Sequence, residues 1–214
     1  MNAERPTSID SIAPLRDFVR TMTRLVGEFA PSASRPGAAD LESPLLDAAS
    51  EALGLLLKDD RWLPDEFAQA PAGVYRQYLL HCDPLERFSV VSFAWGPGAC
   101  TPIHNHTVWG LVGVLRGAER CEEYTVSQDG GIDAQDCCHL MTPGMVDRVS
   151  PTLGDWHRVS NADPVGISVS IHVYGGNIGA IRRHRLVDGR KDFHEFNSGY
   201  SNAYLPNMWD RSAD

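Results

Sequence analysis

The sequence has 214 residues and a mass of 23.5 kDa, a length typical of one domain with a sizeable core. Hydrophobic residues make up 43% of it and charged residues 22%, which excludes a disordered chain. The formal net charge of −9 argues against a nucleic acid or an anionic membrane surface as the main partner. A small ligand is the expected partner, and the oligomeric state stays open.

Two amphipathic helices are predicted near the start of the chain. Apolar side chains recur at steps of three and four over Leu15–Phe29, which places them on one face of a helix. Pro31 is expected to end this helix. A second helix is predicted over Ser43–Lys58, with Pro44 in its first turn. We expect this helical part, residues 1–70, to pack on one flank of the remaining fold.

From Val74 onward the sequence is typical of short strands. Runs rich in β-branched and aromatic residues alternate with Gly, Pro, Asp and Asn. This pattern predicts a mainly β, double-sheet jelly roll or small barrel over residues 71–180, with a C-terminal extension over 181–214. Gln128–Asp136 is predicted to be a loop. The eight predicted strands are Tyr75–Leu80, Phe88–Trp95, Thr101–Val108, Leu111–Arg116, Glu119–Val126, Val146–Val149, His157–Ser160 and Gly166–Tyr174.

The cysteines and the N-terminus indicate the compartment. No secretory signal is visible over Met1–Pro6, and no run approaches the roughly 18 apolar residues of a membrane span. The five cysteines are an odd number without the spacing of a disulfide framework; they are Cys82, Cys100, Cys121, Cys137 and Cys138. We therefore expect reduced thiols in a cytoplasmic protein.

Two histidines in one short segment point to a metal site. His104 and His106 are two residues apart, so in an extended strand both side chains point to the same face. Paired imidazoles are poor core residues and good metal ligands. Gly98, His104, His106 and Gly117 also reproduce the spacing of the first motif of the cupins, a class of jelly-roll barrels.

A second segment resembles the second cupin motif. It runs from Gly154 through His157 to Asn161, and its usual proline is displaced by one residue, to Pro151. The resemblance predicts a three-histidine site of His104, His106 and His157. The glutamate found in the common cupin pattern is absent, because Gly110 and Leu111 occupy its place. A divalent ion held by three neutral imidazoles favours an anionic ligand such as a substrate thiolate, although zinc with a bound water is also possible.

A polar line on the last predicted strand is a second candidate site. Ser170, His172 and Tyr174 alternate with valine and isoleucine, so the three polar groups share one face. Such a line is often a solvated outer face. A hydroxyl, an imidazole and a phenol in a row can also form a hydrogen-bond relay that sets the protonation of the tyrosine.

At these residues the sequence resembles the bacterial thiol dioxygenases of the cysteine dioxygenase family, over about Tyr75 to Trp209. The resemblance implies a cupin barrel with one iron(II) per chain on His104, His106 and His157, and a catalytic relay of Ser170, His172 and Tyr174. The segments that carry it are His104-Asn-His106-Thr-Val-Trp-Gly110, Gly154-Asp-Trp-His157, Ser170-Ile-His172-Val-Tyr174, Gly175-Gly-Asn-Ile-Gly179, Ser198-Gly-Tyr-Ser-Asn and Leu205-Pro-Asn-Met-Trp209.

The resemblance also bears on the substrate. Cysteine-specific members hold the substrate carboxylate with an arginine on an early strand, and the corresponding position here is Gln77, with neighbouring Arg76 one residue away. Members with Gln there resemble 3-mercaptopropionate dioxygenases, whose carboxylate-binding arginine falls on Arg183. Some members cross-link the relay tyrosine to a cysteine, but this chain has Gly110 at that position.

The predicted activity is that of an oxidoreductase that adds both atoms of dioxygen to a small thiol carboxylate and forms a sulfinate. 3-Mercaptopropionate is the first choice of substrate. Cysteine stays open, as does mercaptosuccinate, whose second carboxylate could bind Arg76 or Arg158. Outside this class, a zinc or nickel cupin isomerase or hydrolase and a non-enzymatic ligand-binding cupin remain alternatives.

Overall fold

The computed structural model describes residues 12–33, 39–127, 131–186 and 193–209. Within these ranges two helices precede ten strands. The helices are α1 (Ala13–Ala33) and α2 (Ala39–Leu56), and a 3-10 turn follows at Asp65–Phe67. The strands are β1 (Tyr75–Cys82), β2 (Ser89–Trp95), β3 (Gly110–Arg116), β4 (Glu119–Val126), β5 (Ile132–Met141), β6 (Val146–Val149), β7 (Trp156–Asn161), β8 (Ser168–Tyr174), β9 (Arg183–Leu186) and β10 (Phe193–Phe196).

The strands form two facing antiparallel sheets. One has the order β1-β2-β8-β3-β6 and the other β5-β4-β7, while β9 and β10 pair with each other. Side chains from both sheets pack into one cluster between them, among them Val91, Val112, Cys121 and Val159. This arrangement confirms the predicted mainly β, double-sheet jelly-roll barrel.

The helices cover the outer face of the five-stranded sheet. Met22 and Leu53 from the helices join Ile171 and Val173 of β8 in a second buried cluster. Helix α2 comes so close to β3 that a Cβ at Gly113 would lie 3.0 Å from Leu53 Cδ2. Both faces of this sheet are therefore buried, and the predicted position of the helices on one flank is confirmed.

Both helices differ from their predicted ends. Helix α1 passes Pro31 and ends at Ala33, and α2 begins at Ala39, so that Pro44 lies inside it rather than in its first turn. A proline removes only one backbone donor, and the neighbouring turns keep helical geometry here.

The loop prediction for Gln128–Asp136 is mostly wrong. Residues 128–130 lie outside the described residues, but β5 already begins at Ile132, which pairs with Val126 of β4. The segment resembles a loop in the sequence because its residues Asp133, Ala134 and Gln135 are all exposed. Strands β9 and β10 were not predicted, since their charged residues lack apolar alternation.

The described cysteines are not paired with one another in disulfides. Cys82, Cys100, Cys121 and Cys138 are free, and the side chain of Cys137 lies outside the described residues. None of the helices in the described ranges has the length and apolar character needed to cross a membrane.

The C-terminal segment covers the free edge of the five-stranded sheet at β1. The Ser201 amide donates to the Gln77 carbonyl at 2.7 Å, and the Leu79 amide donates to Asn202 Oδ1 at 2.8 Å. Asn202 Nδ2 in turn donates to the Leu79 carbonyl at 2.9 Å. The segment thus acts as an irregular sixth strand and brings residues 198–201 to one end of the barrel.

Candidate metal centre

His104 and His106 lie on an irregular segment, so the strand predicted over Thr101–Val108 is wrong. The segment pairs with β7 at His104, whose amide donates to the His157 carbonyl at 3.0 Å, while the His157 amide donates back at 3.1 Å. Pro102 has no amide hydrogen, and Thr107 has a positive φ of 62°, so a regular ladder cannot form here. The segment's contacts with β7, rather than the alternation of a strand, bring both imidazoles into the barrel.

The three predicted ligands meet inside the barrel. Their ring centroids are 4.9 Å apart for His104 and His106 and 4.8 Å apart for the other two pairs. The three candidate ligand nitrogens all lie within 4.8 Å of one another. All three residues are buried, and His106 Nε2 has no hydrogen-bond partner. A buried, unpartnered ring nitrogen among two other imidazoles fits a divalent metal ion.

The outward-facing ring nitrogens are held by other groups. His104 Nδ1 lies 3.0 Å from the Pro102 carbonyl, and His106 Nδ1 lies 2.9 Å from Asp155 Oδ1. His157 Nδ1 lies 3.7 Å from Cys121 Sγ. An Nδ1 hydrogen bond to such a group fixes the tautomer in which Nε2 is free for a metal. Sequence reasoning did not single out Asp155, although it lies in the quoted Gly154-Asp-Trp-His157 segment.

The electrostatics of the cluster favour neutral imidazoles. Burial lowers the pKa of His104 to about 4. Burial and then the neighbouring histidines lower the pKa of His106 and of His157 well below their usual range. Neutral imidazole is the form that binds metals, so at neutral pH the site needs no deprotonation before a metal binds.

The polar line of β8 faces the barrel interior, not solvent. Ser170 Oγ lies 2.8 Å from His172 Nε2, and His172 Nδ1 lies 2.7 Å from the Tyr174 hydroxyl. The Tyr174 ring stacks on His106 at 5.4 Å. Burial raises the pKa of Tyr174 and lowers the pKa of His172 to about 3. A neutral relay therefore ends in a protonated phenol beside the candidate metal ligands.

Gly110 makes room for this tyrosine. A Cβ at Gly110 would lie 2.8 Å from Tyr174 Cδ1 and 3.0 Å from Val149 Cγ2. Such distances are shorter than van der Waals contact, so a larger side chain here would displace the ring. Glycine at this position therefore fixes where the phenol lies.

A cavity of about 330 Å³ opens beside the histidine cluster. His104, Tyr75, Phe93 and Arg183 line it. Arg183 begins β9 and is only 3% exposed; one guanidinium nitrogen donates to Ser198 Oγ at 2.6 Å, and its Nε has no partner. Its guanidinium lies over the Phe196 ring at 4.9 Å. A buried guanidinium with a free donor is suited to bind a carboxylate.

Gln77, and not Arg76, faces this cavity. Gln77 lines it and is buried, and its Nε2 donates to the Gly199 carbonyl. Arg76 is exposed on the opposite face of β1. Neither Arg76 nor Arg158 lines the cavity, whereas Arg185, an exposed residue of β9, does.

A larger cavity of about 630 Å³ lies on the other side of the cluster, along Asp155 and His157. Arg148 lines it but is paired with Asp47 at 2.6 Å. Cys121 also lines it, and with His139 and Asp147 offers a second group of candidate metal ligands within 4.8 Å of one another. His139 Nε2 and Asp147 Oδ2 are already hydrogen-bonded at 2.6 Å. Arg183 lines the smaller cavity and is not among the described residues that line this larger one.

Comparison with known proteins finds solved structures that are similar at low sequence identity. No family model matches the chain. A cupin superfamily protein from Desulfitobacterium hafniense is 13% identical, with 51% of this chain and 84% of that chain covered and a TM-score of 0.39. A cupin-like protein from Thermotoga maritima is 20% identical, with 54% and 77% covered and a TM-score of 0.42.

A third similar structure is oxalate oxidase in complex with the substrate analogue glycolate, 16% identical, with 56% of this chain and 61% of that chain covered and a TM-score of 0.41. These similarities concern the fold alone. The strand order of the two sheets by itself describes a double-sheet jelly-roll barrel, and this barrel contains a three-histidine candidate metal site.

Proposed function

We propose that this protein is an iron(II) thiol dioxygenase similar to the cysteine dioxygenase family, with 3-mercaptopropionate as its substrate. The proposal rests on the observation that three features lie next to one another inside the barrel. These are the buried histidine cluster, the Ser170–His172–Tyr174 relay and the cavity with Arg183. The net reaction combines one thiol with one dioxygen molecule and gives a sulfinic acid, so no other reductant is needed.

The metal's part follows from its ligands. His104, His106 and His157 would hold the ion, and no carboxylate would reduce its charge. Bound iron(II) would supply the redox chemistry that joins a thiolate and dioxygen. The protein's own contribution is to bind the substrate, to orient it and to exclude water.

Substrate binding is assigned to Arg183 and the aromatic wall. The guanidinium would form a charge-assisted pair with the substrate carboxylate, and Tyr75 and Phe93 would exclude water around the thiol-bearing carbons. The relay keeps the Tyr174 hydroxyl fixed and protonated beside the ligands, where it can donate a hydrogen bond to the substrate.

The charges in the cavity favour 3-mercaptopropionate over cysteine. No carboxylate side chain is among its described lining residues, so an ammonium group would lose water beside Arg183 without gaining a counter-charge. The observation that Arg185 also lines the cavity favours mercaptosuccinate as the second candidate, because this substrate has two carboxylates.

The test is oxygen uptake by the iron-loaded protein with 3-mercaptopropionate, cysteine, mercaptosuccinate and cysteamine. We expect the highest kcat/KM for 3-mercaptopropionate. Arg183→Ala should weaken use of the thiol acids by about 2–5 kcal/mol, because it removes one partner of a buried charge pair. It should leave cysteamine, which has no carboxylate, unchanged.

The matched control is Arg182→Ala, which removes an exposed neighbouring charge paired with Glu195 and should have no effect. If mercaptosuccinate is the best substrate and Arg185→Ala removes that preference, the dicarboxylate is the substrate. Absence of oxygen uptake with every thiol would overturn the proposed function.

A further inference from the structure

Cys121, His139 and Asp147 form a second cluster of potential metal ligands, outside the three-histidine site. One ligand atom from each residue lies within 4.8 Å of the other two. Cys121 is buried, whereas 34% of the His139 side chain and 27% of the Asp147 side chain are exposed. A thiolate, an imidazole and a carboxylate are the side-chain groups that bind zinc in proteins. The cluster therefore has the donor types of a zinc site.

The strand pairing fixes the positions of these three residues. Cys121 of β4 and His139 of β5 are direct partners in an antiparallel pair, and the Cβ atoms of such partners lie about 4.5–5.5 Å apart on one face. Asp147 belongs to β6, an edge strand of the five-stranded sheet, while β5 is an edge strand of the three-stranded sheet. An ion bound by all three residues would therefore join the edges of the two sheets.

The cluster is open to the larger cavity of about 630 Å³. Cys121 and Asp147 line this cavity, so an ion and a water molecule can reach them. In a tetrahedral zinc site the ligand atoms lie about 3.3–3.6 Å apart, as bond lengths of about 2.0–2.3 Å require. The hydrogen bond of 2.6 Å between His139 Nε2 and Asp147 Oδ2 would have to lengthen. Rotation of these two partly exposed side chains can supply that change.

The charges of this cluster suit a dication that binds sulfur. A thiolate and a carboxylate together neutralise a divalent ion, whereas three imidazoles leave its charge uncompensated. Burial raises the pKa of Cys121 while no ion is bound, so the ion has to displace the thiol hydrogen, as metals do at cysteine ligands. A thiolate ligand also favours zinc over magnesium and calcium, which prefer oxygen ligands.

Cys121 lies directly behind one of the three histidines. Its Sγ is 3.7 Å from His157 Nδ1, on the side of the ring away from the histidine cluster. A metal-bound thiolate could accept the Nδ1 hydrogen of His157 and so keep the tautomer in which Nε2 is free. The two sites would then lie on opposite sides of one imidazole without sharing a ligand atom.

We propose that Cys121, His139 and Asp147 bind a zinc ion, with a water molecule from the larger cavity as the fourth ligand. The ion links the two sheets at their edges and fixes Cys121 behind His157. None of the three ligands is among the described residues that line the smaller cavity. The zinc site therefore does not depend on the proposed function.

The test is a titration of the metal-free whole chain with cobalt(II), without oxygen or any thiol substrate. Cobalt(II) can replace zinc, and a cobalt–thiolate bond gives a sulfur-to-cobalt charge-transfer band in the near ultraviolet. We expect two equivalents to bind. The equivalent at the three histidines gives no such band, and the equivalent at Cys121 gives one. An excess of zinc should displace the cobalt and remove the band.

Three variants assign the band to its site. Cys121→Ser should abolish the band and reduce the bound cobalt from two equivalents to one. Cys138→Ser is the matched control, because it removes an exposed thiol of the neighbouring strand β5 and should leave the band unchanged. His106→Ala removes a ligand of the other site, so one equivalent should be lost while the band stays.

A further variant keeps the test valid if Cys121→Ser does not fold. His139→Ala removes a partly exposed side chain of an edge strand. It should weaken cobalt binding at this site by more than about 100-fold, because losing a ligand costs more than losing a group that orients one.

Binding of a single equivalent without the band would overturn the proposal, and so would a band that persists in Cys121→Ser or an unchanged cobalt affinity in His139→Ala. The titration involves neither oxygen nor a thiol substrate, so a failure of the proposed function would not alter any of these results.

Discussion

The two halves of the candidate site are built differently. Ser170, His172 and Tyr174 lie on the regular strand β8, where alternation alone places them on one face. His104 and His106 lie on an irregular segment, and their positions depend on the pairing with His157 and the contact with Asp155. The relay is therefore fixed by local geometry, whereas the cluster of candidate ligands is fixed by tertiary contacts.

The largest effect is expected when one of the three histidines that tertiary contacts hold in place is replaced. Replacing His104, His106 or His157 by Ala should abolish iron retention and activity, since two imidazoles hold a divalent ion far less tightly than three. The apolar clusters on both faces of the large sheet should keep the barrel folded. The measurements are iron content after desalting and far-UV circular dichroism. A variant that keeps wild-type iron would not have lost a ligand.

The next largest effect, on the turnover rate, is expected for a change in the relay on β8. Tyr174→Phe removes only the hydroxyl at the end of the relay, so iron binding should stay intact. Turnover should fall by about 10²–10⁴-fold, the usual contribution of a positioned acid–base group. Stopped-flow or steady-state oxygen uptake measures this, with iron content as the control. An unchanged rate would show that the phenol has no part in the reaction.

A smaller effect, on iron affinity, is expected when Asp155 is replaced. This carboxylate accepts hydrogen bonds from the amides of His106 and Thr107 at 2.8 and 2.9 Å as well as contacting His106 Nδ1. Asp155→Asn should lower iron affinity by about 10–100-fold, the usual effect of losing a residue that orients a ligand. A competition titration with a chelator measures it. Equal affinities would mean that the segment holds His106 without Asp155.

The smallest effect is expected at Gly110. Gly110→Ala would bring a Cβ against both Tyr174 and Val149, and overpacking of this kind costs about 1–3 kcal/mol. The free energy of unfolding in urea should fall by that amount, while iron content stays at the wild-type level. Full stability in this variant would mean that the ring can shift without strain.

The sequence correctly predicts that the relay residues of β8 share one face. It also groups the three histidines correctly, but on the assumption of a regular strand that the structure does not contain. Alternation on β8 correctly places its polar residues on one face, but which face is interior depends on helices that pack from elsewhere in the chain. The histidines were grouped by motif spacing on an assumed strand, and the structure reaches the same grouping through an irregular segment.

Residues whose surroundings depend on distant contacts could not be predicted. In the sequence Glu119 resembles an ordinary surface residue at the start of a strand, but it is buried and accepts a hydrogen bond from Ser168 of β8. The place of Arg185 at the cavity depends on β9 and β10, whose sequences lack the signals of strands. Gln77 could be separated from Arg76 only when the faces of β1 were known.

The C-terminal segment that covers β1 also protects the protein against aggregation. An uncovered strand edge is a template for pairing with another chain, and Ser201 and Asn202 occupy its donors and acceptors. Ser198 of the same segment accepts a hydrogen bond from Arg183. One proteolytic cut in this segment would therefore release a contact of the cavity wall and also expose the unpaired edge of β1. The wall of the cavity and the protection of the sheet edge against aggregation thereby depend on a single stretch of chain.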